Sequence, residues 1–343
     1  MTSAIGHRSV RPVWLSLWVA AAVFGAAAAL QAETTIIKVA LVTPEGSAWT
    51  DALRQMAAEV SSNTNGAVRF VIYPGGVSGD ETDVLRKMQV NRIQAAGLSG
   101  VGLGILLPEV RILEAPLLYR DYQEIDRVKE SLFDDFAAAF EQKGFVLLGF
   151  AEGGFVYFFS KPDISKPDGL KAVKMWSWIG DPVATIFLDT FGINTVPLHV
   201  ADVNTGLETG MINAFYAPPL AAIAFQWYTK IAYFLDYPMV NSTGALLIRR
   251  QTFERLSSQE KAVLKSSADK YCRKLVEISR RKNAEALQVI TDAGIVRLEP
   301  SADQILMFKQ NAEKTYIKNI PSLYSQELLN RVRALLAAYR SGK

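Results

Sequence analysis

Residues 171–216, KAVKMWSWIGDPVATIFLDTFGINTVPLHVADVNTGLETGMINAFY, carry the alternation from which the architecture follows. Lys171 to Trp178 reads as a strand. Asp181 and Pro182 then open a helix through Ile186, Leu188 and Phe191, since Asp is a favoured N-cap and Pro fits the first helical position. Gly192 precedes a short strand, Asn194 to Pro197. Asp202 to Thr209 forms a second helix ended by Gly210, and Ile212 to Tyr216 a third strand stopped by Pro218 and Pro219. The same order occurs earlier in the chain. Ile36 to Val42 is a β-branched run broken at Thr43-Pro44-Glu45-Gly46-Ser47, and a helical period follows through Trp49, Leu53, Met56, Ala57 and Val60. Gly66 precedes a strand at Val68 to Tyr73, a helix covers about 80–91, and Ile93 to Leu98 is a strand stopped by Ser99-Gly100. Val90-Asn91-Arg92-Ile93-Gln94-Ala95 lies over Thr209-Gly210-Met211-Ile212-Asn213-Ala214.

Two β-α-β-α-β units imply a two-lobed α/β protein with mainly parallel sheets covered by helices. Ligands of such sheets sit beyond the carboxyl ends of the strands. Those ends are residues 43–49, 98–102, 176–181 and 215–219, which share one cleft if the lobes face each other. The C-terminal third is helical. Ser257-Ser258-Gln259-Glu260 is a capping box, and Leu264, Ala268, Tyr271, Leu275 and Ile278 recur on one face of a helix over 257–292, long enough to brace both lobes. We expect lobe I over 33–155 and about 245–255, and lobe II over 156–244 and about 295–343. Hinge strands are expected near Gly153–Ser160 and Gly244–Ile248, further helices from about Ala302 and Gln326, and a solvated basic face at Arg280-Arg281-Lys282.

Arg8 and Arg11 precede an apolar stretch, Val13 to Leu30, ending at Leu30-Gln31-Ala32, the layout of a signal peptide over 1–32 cleaved after Ala32. An uncleaved anchor is the rival reading, because the run is close to spanning length. Leu98–Leu107 is too short and glycine-interrupted to span, and Leu220–Leu235 carries Gln226 and Lys230, so the mature chain is expected to be soluble. Without Arg8 and Arg11, Lys plus Arg falls from 37 to 35 against 34 acidic residues, a net charge of +1 that argues against a nucleic-acid partner. Cys272 is the only cysteine. A chain of about 310 residues exported without disulfides fits a bacterial periplasm, where a large core suffices. His7 lies in the signal peptide, so the mature chain keeps only His199 and zinc sites built on several His or Cys are excluded. No metal or cofactor is expected, and His199 reads as a loop histidine with a local hydrogen bond.

Gly100-Val101-Gly102-Leu103-Gly104 lacks the third glycine of a dinucleotide fingerprint, whose places hold Ile105 and Leu107, and has no G-K-[ST] step. It reads as a flexible loop lining the cleft. Asp80 reads as a helix cap. Glu152, before Gly153-Gly154-Phe155 at a lobe crossover, is a ligand contact or a structural acid. A hydrolase would need two carboxylates held several ångströms apart across a bond, which spacing along a chain does not establish, so no catalytic residue is assigned. Trp176 and Tyr216 end strands at the cleft, whereas Trp227-Tyr228 lies in an apolar helical stretch that reads as core. The candidate ligand set is Trp176 as platform with Trp178 beside it, Phe215 and Tyr216 as walls, Trp49 in the capping loop, and Ser99, Glu152, Asn194 and Asn213 as polar contacts.

Pro167-Asp168-Gly169-Leu170-Lys171-Ala172-Val173-Lys174-Met175-Trp176 resembles the "dlkGlkiR" segment of the DctP-type binding proteins of tripartite ATP-independent periplasmic (TRAP) transporters. Leu207-Glu208-Thr209-Gly210-Met211-Ile212-Asn213-Ala214 is similar to their "alqtGviDg" segment, and the resemblance runs from Ile36-Ile37-Lys38-Val39-Ala40 to the terminal helices. It implies a two-lobed periplasmic-binding-protein fold, a transport role without catalysis, a small-molecule ligand and TRAP membrane subunits as partners. Family members that bind carboxylates use the arginine that ends the first segment. Trp176 stands there, and Asn213 stands where the family often has Asp. An indole offers one N–H and no charge, so the expected ligand is apolar, aromatic or lipid-like rather than a small dicarboxylate. The alternatives are a carboxylate received by another cation, a carboxylate-based hydrolase, and a cleft filled by a partner's peptide. Trp176 with Tyr216-Ala217-Pro218-Pro219 and Gln226-Trp227 is similar to the TRAP subgroup that pairs with tetratricopeptide-repeat proteins.

Overall fold

Apolar runs punctuated by glycine and proline become nine strands of one sheet in the computed structural model, which describes residues 1–3, 34–319 and 322–342. The signal peptide expected over 1–32 lies outside the described residues apart from its first three. In chain order the elements begin β1 (Thr35–Ala40), α1 (Ala48–Asn63), β2 (Val68–Tyr73), α2 (Glu81–Gln89), β3 (Ala95–Ser99) and α3 (Gly100–Leu106). A 3-10 turn (Pro108–Glu114) leads to α4 (Tyr122–Gln142), β4 (Phe145–Ser160), α5 (Pro167–Lys171), β5 (Lys174–Trp178), α6 (Pro182–Asp189) and β6 (Asn194–Leu198). Next come α7 (Val203–Thr209), β7 (Ala214–Ala217), α8 (Pro219–Ala224), a 3-10 turn (Trp227–Lys230), β8 (Tyr233–Arg249) and α9 (Arg250–Glu254). The chain ends with α10 (Ser258–Asp292), β9 (Val296–Leu298), α11 (Ala302–Asn319) and α12 (Gln326–Arg340).

The strand order is β2-β1-β3-β8-β4-β7-β5-β6, with β9 added beside β8. β1, β2 and β3 are parallel, as are β5, β6 and β7, but β4 and β8 run antiparallel to each other and to β7 and β3. Most strand pairings are parallel, as expected, and the sheet is made mixed by the three antiparallel pairings of β3 with β8, β4 with β8 and β4 with β7. The physical reason is length: β4 and β8 have 16 and 17 residues and pair along almost their whole extent, so both halves of the sheet are built onto the same two strands. The boundaries drawn at 155/156 and 244/245 fall inside these strands. Register shifts between Glu152 and Gly154 and between Val156 and Phe158 interrupt the pairing midway.

One buried cluster runs through both halves, from Ala40, Val84 and Leu98 to Met175, Val183 and Phe187, and each half adds a cluster of its own on the side of α10. Ile37, Val39, Met56 and Val60 pack with Leu264 and Ala268 of α10 under the first half, while Phe159, Phe215 and Phe234 pack with Ile290 of α10 under the second. Burying each of the larger of these side chains contributes about 1.5–3 kcal/mol, so α10 is anchored in both. Its capping box forms in full, with Ser257 accepting from the Glu260 N–H and Glu260 accepting from the Ser257 N–H. The terminal helix α12 was expected with the second half. It packs instead on α4, where Arg340 holds Glu124 and Leu329, Val332 and Leu336 join Ile125, Val128 and Leu132. No helix among the described residues is long and apolar enough to cross a membrane.

Residues 100–104 form the start of a helix, not a flexible loop. Ser99 caps α3 by accepting from the Val101 N–H. The glycines serve close approach: a Cβ on Gly100 would collide with Glu114, on Gly102 it would lie 2.5 Å from Glu81 Oε2, and on Gly104 it would lie 2.7 Å from Arg111 Cδ. Three buried charged side chains thread past three alternate positions of one short helix.

Candidate functional site

The carboxyl ends of β1, β3, β5 and β7 converge on a cavity of about 360 Å³, within the size range of small-molecule sites. On the first side, Ser47 caps α1 and places Trp49 at the wall, where its ring lies over Gly97 and Gly244. Ser99 is also in the wall, but its hydroxyl is spent on Glu81 at 2.8 Å.

On the second side the alternation of β5 puts Trp176 and Trp178 on one face. Trp176 stacks on Tyr216 at 5.2 Å and on Trp178 at 6.1 Å, and meets the edge of Trp227 at 5.2 Å. All four rings line the cavity. The indole N–H of Trp176 donates to the Leu198 carbonyl at 3.0 Å, so this side chain offers only its apolar ring. The Trp178 N–H reaches across to Asp80 Oδ2 at 3.0 Å, and His199 Nδ1 lies 2.8 Å from the same oxygen. Trp227, assigned by its sequence context to a core helix, sits in a 3-10 turn and serves core and cavity together.

The polar part of the wall is a buried ion cluster. Arg111 Nη2 donates to Asp181 Oδ1 at 2.6 Å and lies 2.9 Å from Glu114 Oε2. Asp181 also caps α6 through the Ala184 N–H and accepts from the Tyr216 hydroxyl at 3.2 Å. Glu114 accepts from the Thr243 N–H at 2.7 Å. Burial pushes Glu114 up to about 7, with Arg111 pulling it down and Asp181 pushing it further up. Burial also pushes Glu81 up to about 7, against the N–H groups of Ser99 and Gly102 and the Ser99 hydroxyl that it accepts. The Tyr216 hydroxyl is held well above its ordinary value by burial and then by Asp181. Arg111 is the one buried cation in the cavity wall among the described residues; Lys282 is exposed at its rim.

Four sequence candidates lie outside this wall. Asn194 opens β6 and Asn213 precedes β7, at the opposite end of the strands from the cavity: Asn194 is exposed, and Asn213 Oδ1 accepts from the Lys174 N–H at 2.7 Å. Phe215, one residue before Tyr216, faces the other side of the strand and stacks on Phe159 at 4.9 Å. Glu152 is fully buried between Lys129 Nζ at 2.9 Å and Arg280 Nε at 2.6 Å. Burial alone would raise its acid, but Lys129 and Arg280 outweigh burial and hold it below its ordinary value. Arg280 is thus not part of a solvated face. Sequence reasoning missed Arg111 and Glu114. Their signal was a charge pair three residues apart inside an otherwise apolar stretch, Val110 to Leu118, which is not the pattern of a solvated helix face. No group of three or more His, Cys, Asp or Glu residues is placed to hold a metal among the described residues.

Residues 39–321 match the family described as bacterial extracellular solute-binding protein, family 7, or DctP. The chain belongs to this family. As a DctP protein it is a periplasmic solute-binding protein of the TRAP type. Its curated relatives include a solute-binding protein of Verminephrobacter eiseniae, 26% identical over 235 residues that cover 68% of this chain and 70% of the relative. The 2,3-diketo-L-gulonate-binding periplasmic protein YiaO of Escherichia coli is 25% identical over 244 residues, covering 68% and 74%. Among solved structures, a TRAP periplasmic solute-binding protein of Haemophilus influenzae with bound L-gulonate superposes with a TM-score of 0.82 at 19% identity, covering 88% of this chain and all of that one. A Ralstonia eutropha protein with bound (S)-2-acetolactate gives 0.83 at 21%, covering 89% and 99%. At these identities the likeness speaks for the two-lobed DctP fold alone.

Proposed function

We propose that this chain captures an apolar or aromatic solute between two lobes hinged at β4 and β8 and delivers it to TRAP membrane subunits. The carrying observation is Trp176. It occupies the position that the resemblance gives to a carboxylate-binding arginine, is 3% exposed, lines the cavity, and has its single donor committed to Leu198. Rings of Trp178, Tyr216 and Trp227 and aliphatic side chains such as Val156, Val183 and Ile223 complete a mostly apolar wall. The register shifts at Glu152–Gly154 and Val156–Phe158 support bending there. Export through residues 1–32 is supported by the layout of Arg8 and Arg11 before an apolar run, and a tetratricopeptide-repeat partner by the sequence resemblance.

A second reading has one observation behind it. Arg111 lines the cavity and its Nε and Nη1 have no partner, so it is the cation that would receive an acid like those named for the solved relatives. One experiment separates the two. Small molecules released from natively purified protein are identified by mass spectrometry and titrated back. We expect an apolar or aromatic compound whose affinity falls at least about tenfold in Trp176→Ala, equivalent to about 1.4 kcal/mol. A sugar acid or dicarboxylate bound at micromolar Kd and indifferent to Trp176→Ala would overturn the proposal in favour of the Arg111 reading.

A further inference from the structure

The buried charges of the cavity wall do not balance. Glu81, Glu114 and Asp181 line it as acids, against the single guanidinium of Arg111. Arg111 serves Asp181 and Glu114 with the same nitrogen, Nη2. Its Nε and Nη1 make no hydrogen bond. The acids retain acceptor capacity, because a carboxylate offers about four lone-pair sites. Glu114 accepts the Thr243 N–H on one oxygen and Arg111 on the other, and Asp181 Oδ2 accepts only the Tyr216 hydroxyl. A further group on the wall also lacks a partner: Ser279 of α10 is 1% exposed and its hydroxyl makes no hydrogen bond.

Protonation relieves the excess in part, since burial pushes Glu81 and Glu114 up to about 7, and a cation or donor in the cavity would relieve it without those protons. A carboxylate solute would add to the excess, and its approach to Asp181 and Glu114 would be repelled in a low-dielectric site. An ammonium would complete the acceptors, and the faces of Trp176, Trp178 and Tyr216 attract cations through their ring quadrupoles. Resting on the apolar-solute reading above and deepening it, we propose that the solute is an organic cation: an alkyl or arylalkyl amine with its ammonium beside Asp181 and Glu114 and its apolar body on the stacked rings. Ser279 supplies a hydroxyl to a second polar group of the same molecule.

The test is calorimetric titration of the purified protein with octylamine and 2-phenylethylamine against the matched alcohols and the matched carboxylic acids. We expect each amine to bind at least about tenfold more tightly than its alcohol, and the acids to bind most weakly. Asp181→Asn is the informative variant, since Asn still caps α6, still offers an oxygen to Arg111 and removes one charge. It should weaken the amines about tenfold and leave the alcohols unchanged. Equal binding of amine and alcohol overturns the cation inference while the apolar reading stands. Tightest binding by the acids overturns both, and amine affinity unmoved by Asp181→Asn removes the assigned site.

Discussion

Two ion clusters with buried carboxylates lie in the middle of this molecule, one balanced in charged groups and one not. Behind the cavity, Glu152 is held by Lys129 and Arg280, and Arg280 makes two further bonds to Asp126 at 2.7 and 2.6 Å, so two acids meet two bases. In the cavity wall, one guanidinium meets Asp181 and Glu114. The first cluster closes on itself and ties α4 and α10 to β4 beside the Gly153–Gly154 shift, where Asn283 also holds the Gly153 carbonyl at 2.6 Å. The second leaves the carboxyl groups of Asp181 and Glu114 sharing one guanidinium nitrogen beside a space large enough for a solute. Burial of charge does not by itself mark a binding site; an unbalanced sum on a cavity wall does.

The largest effect that distinguishes them is mechanical. Glu152→Ala leaves Lys129 without a partner in a buried position and strips Arg280 of one of its two acids, a loss of about 3–5 kcal/mol by the usual cost of breaking a buried pair. Urea denaturation should show this as a lower midpoint at unchanged slope, while solute affinity of the folded fraction stays at the wild-type value. A loss below about 1 kcal/mol, or a selective loss of affinity, would erase the contrast by making Glu152 a ligand contact after all.

The next effect is the sign of the pH dependence. Glu81 and Glu114, pushed up to about 7, bind protons in the folded state that the unfolded chain has released, so their contribution is present below about pH 4.5 and is lost as pH rises to about 7. Each accounts for on the order of 3 kcal/mol. Glu152, held below its ordinary value, acts the other way: its contribution is present above about pH 4.5 and is lost as pH falls below it. Ligand-free protein should therefore lose stability in urea melts between pH 5 and pH 8, with a shallower slope in Glu114→Gln. A stability rising through that window would mean that the wall is not acid-rich in the way its geometry indicates.

How far the sequence could reach follows from the same contrast. The strands that end at the cavity were legible because alternation, glycine and proline mark them locally, and with them came Trp49, Trp176, Trp178 and Tyr216. Asn194 and Asn213 were misplaced although polarity along a strand already puts them at the far end, so that error was avoidable. β4 was harder: Gly149, Gly153 and Gly154 look like breaks, and only its partner β8 reveals them as irregularities in one continuous strand. The glycines at 100, 102 and 104 carry no local sign that Glu114, Glu81 and Arg111 pass beside them. Arg111 and Asp181 are 70 residues apart, and no pattern within either segment names the other. Charge balance is a tertiary quantity, and the site's chemistry lies in it.

The smallest effect concerns an acid that belongs to neither cluster. Asp80 Oδ1 caps α2 through the Glu81 N–H at 2.7 Å, while its Oδ2 takes the Trp178 indole and His199 from the other half of the sheet. Asp80→Asn keeps the capping oxygen and replaces the other with a donor, so it cuts the cross-cleft contact alone. His199 is half exposed, and a contact of this kind contributes about 1 kcal/mol. If that energy favours closure, the variant shifts the population toward an open form, and solute affinity falls by no more than about fivefold. Small-angle scattering of the ligand-free variant should show a larger radius of gyration that the solute restores. An unchanged radius and unchanged affinity would show that Arg111–Asp181 alone holds the two walls together, and the unbalanced cluster would then carry closure as well as selectivity.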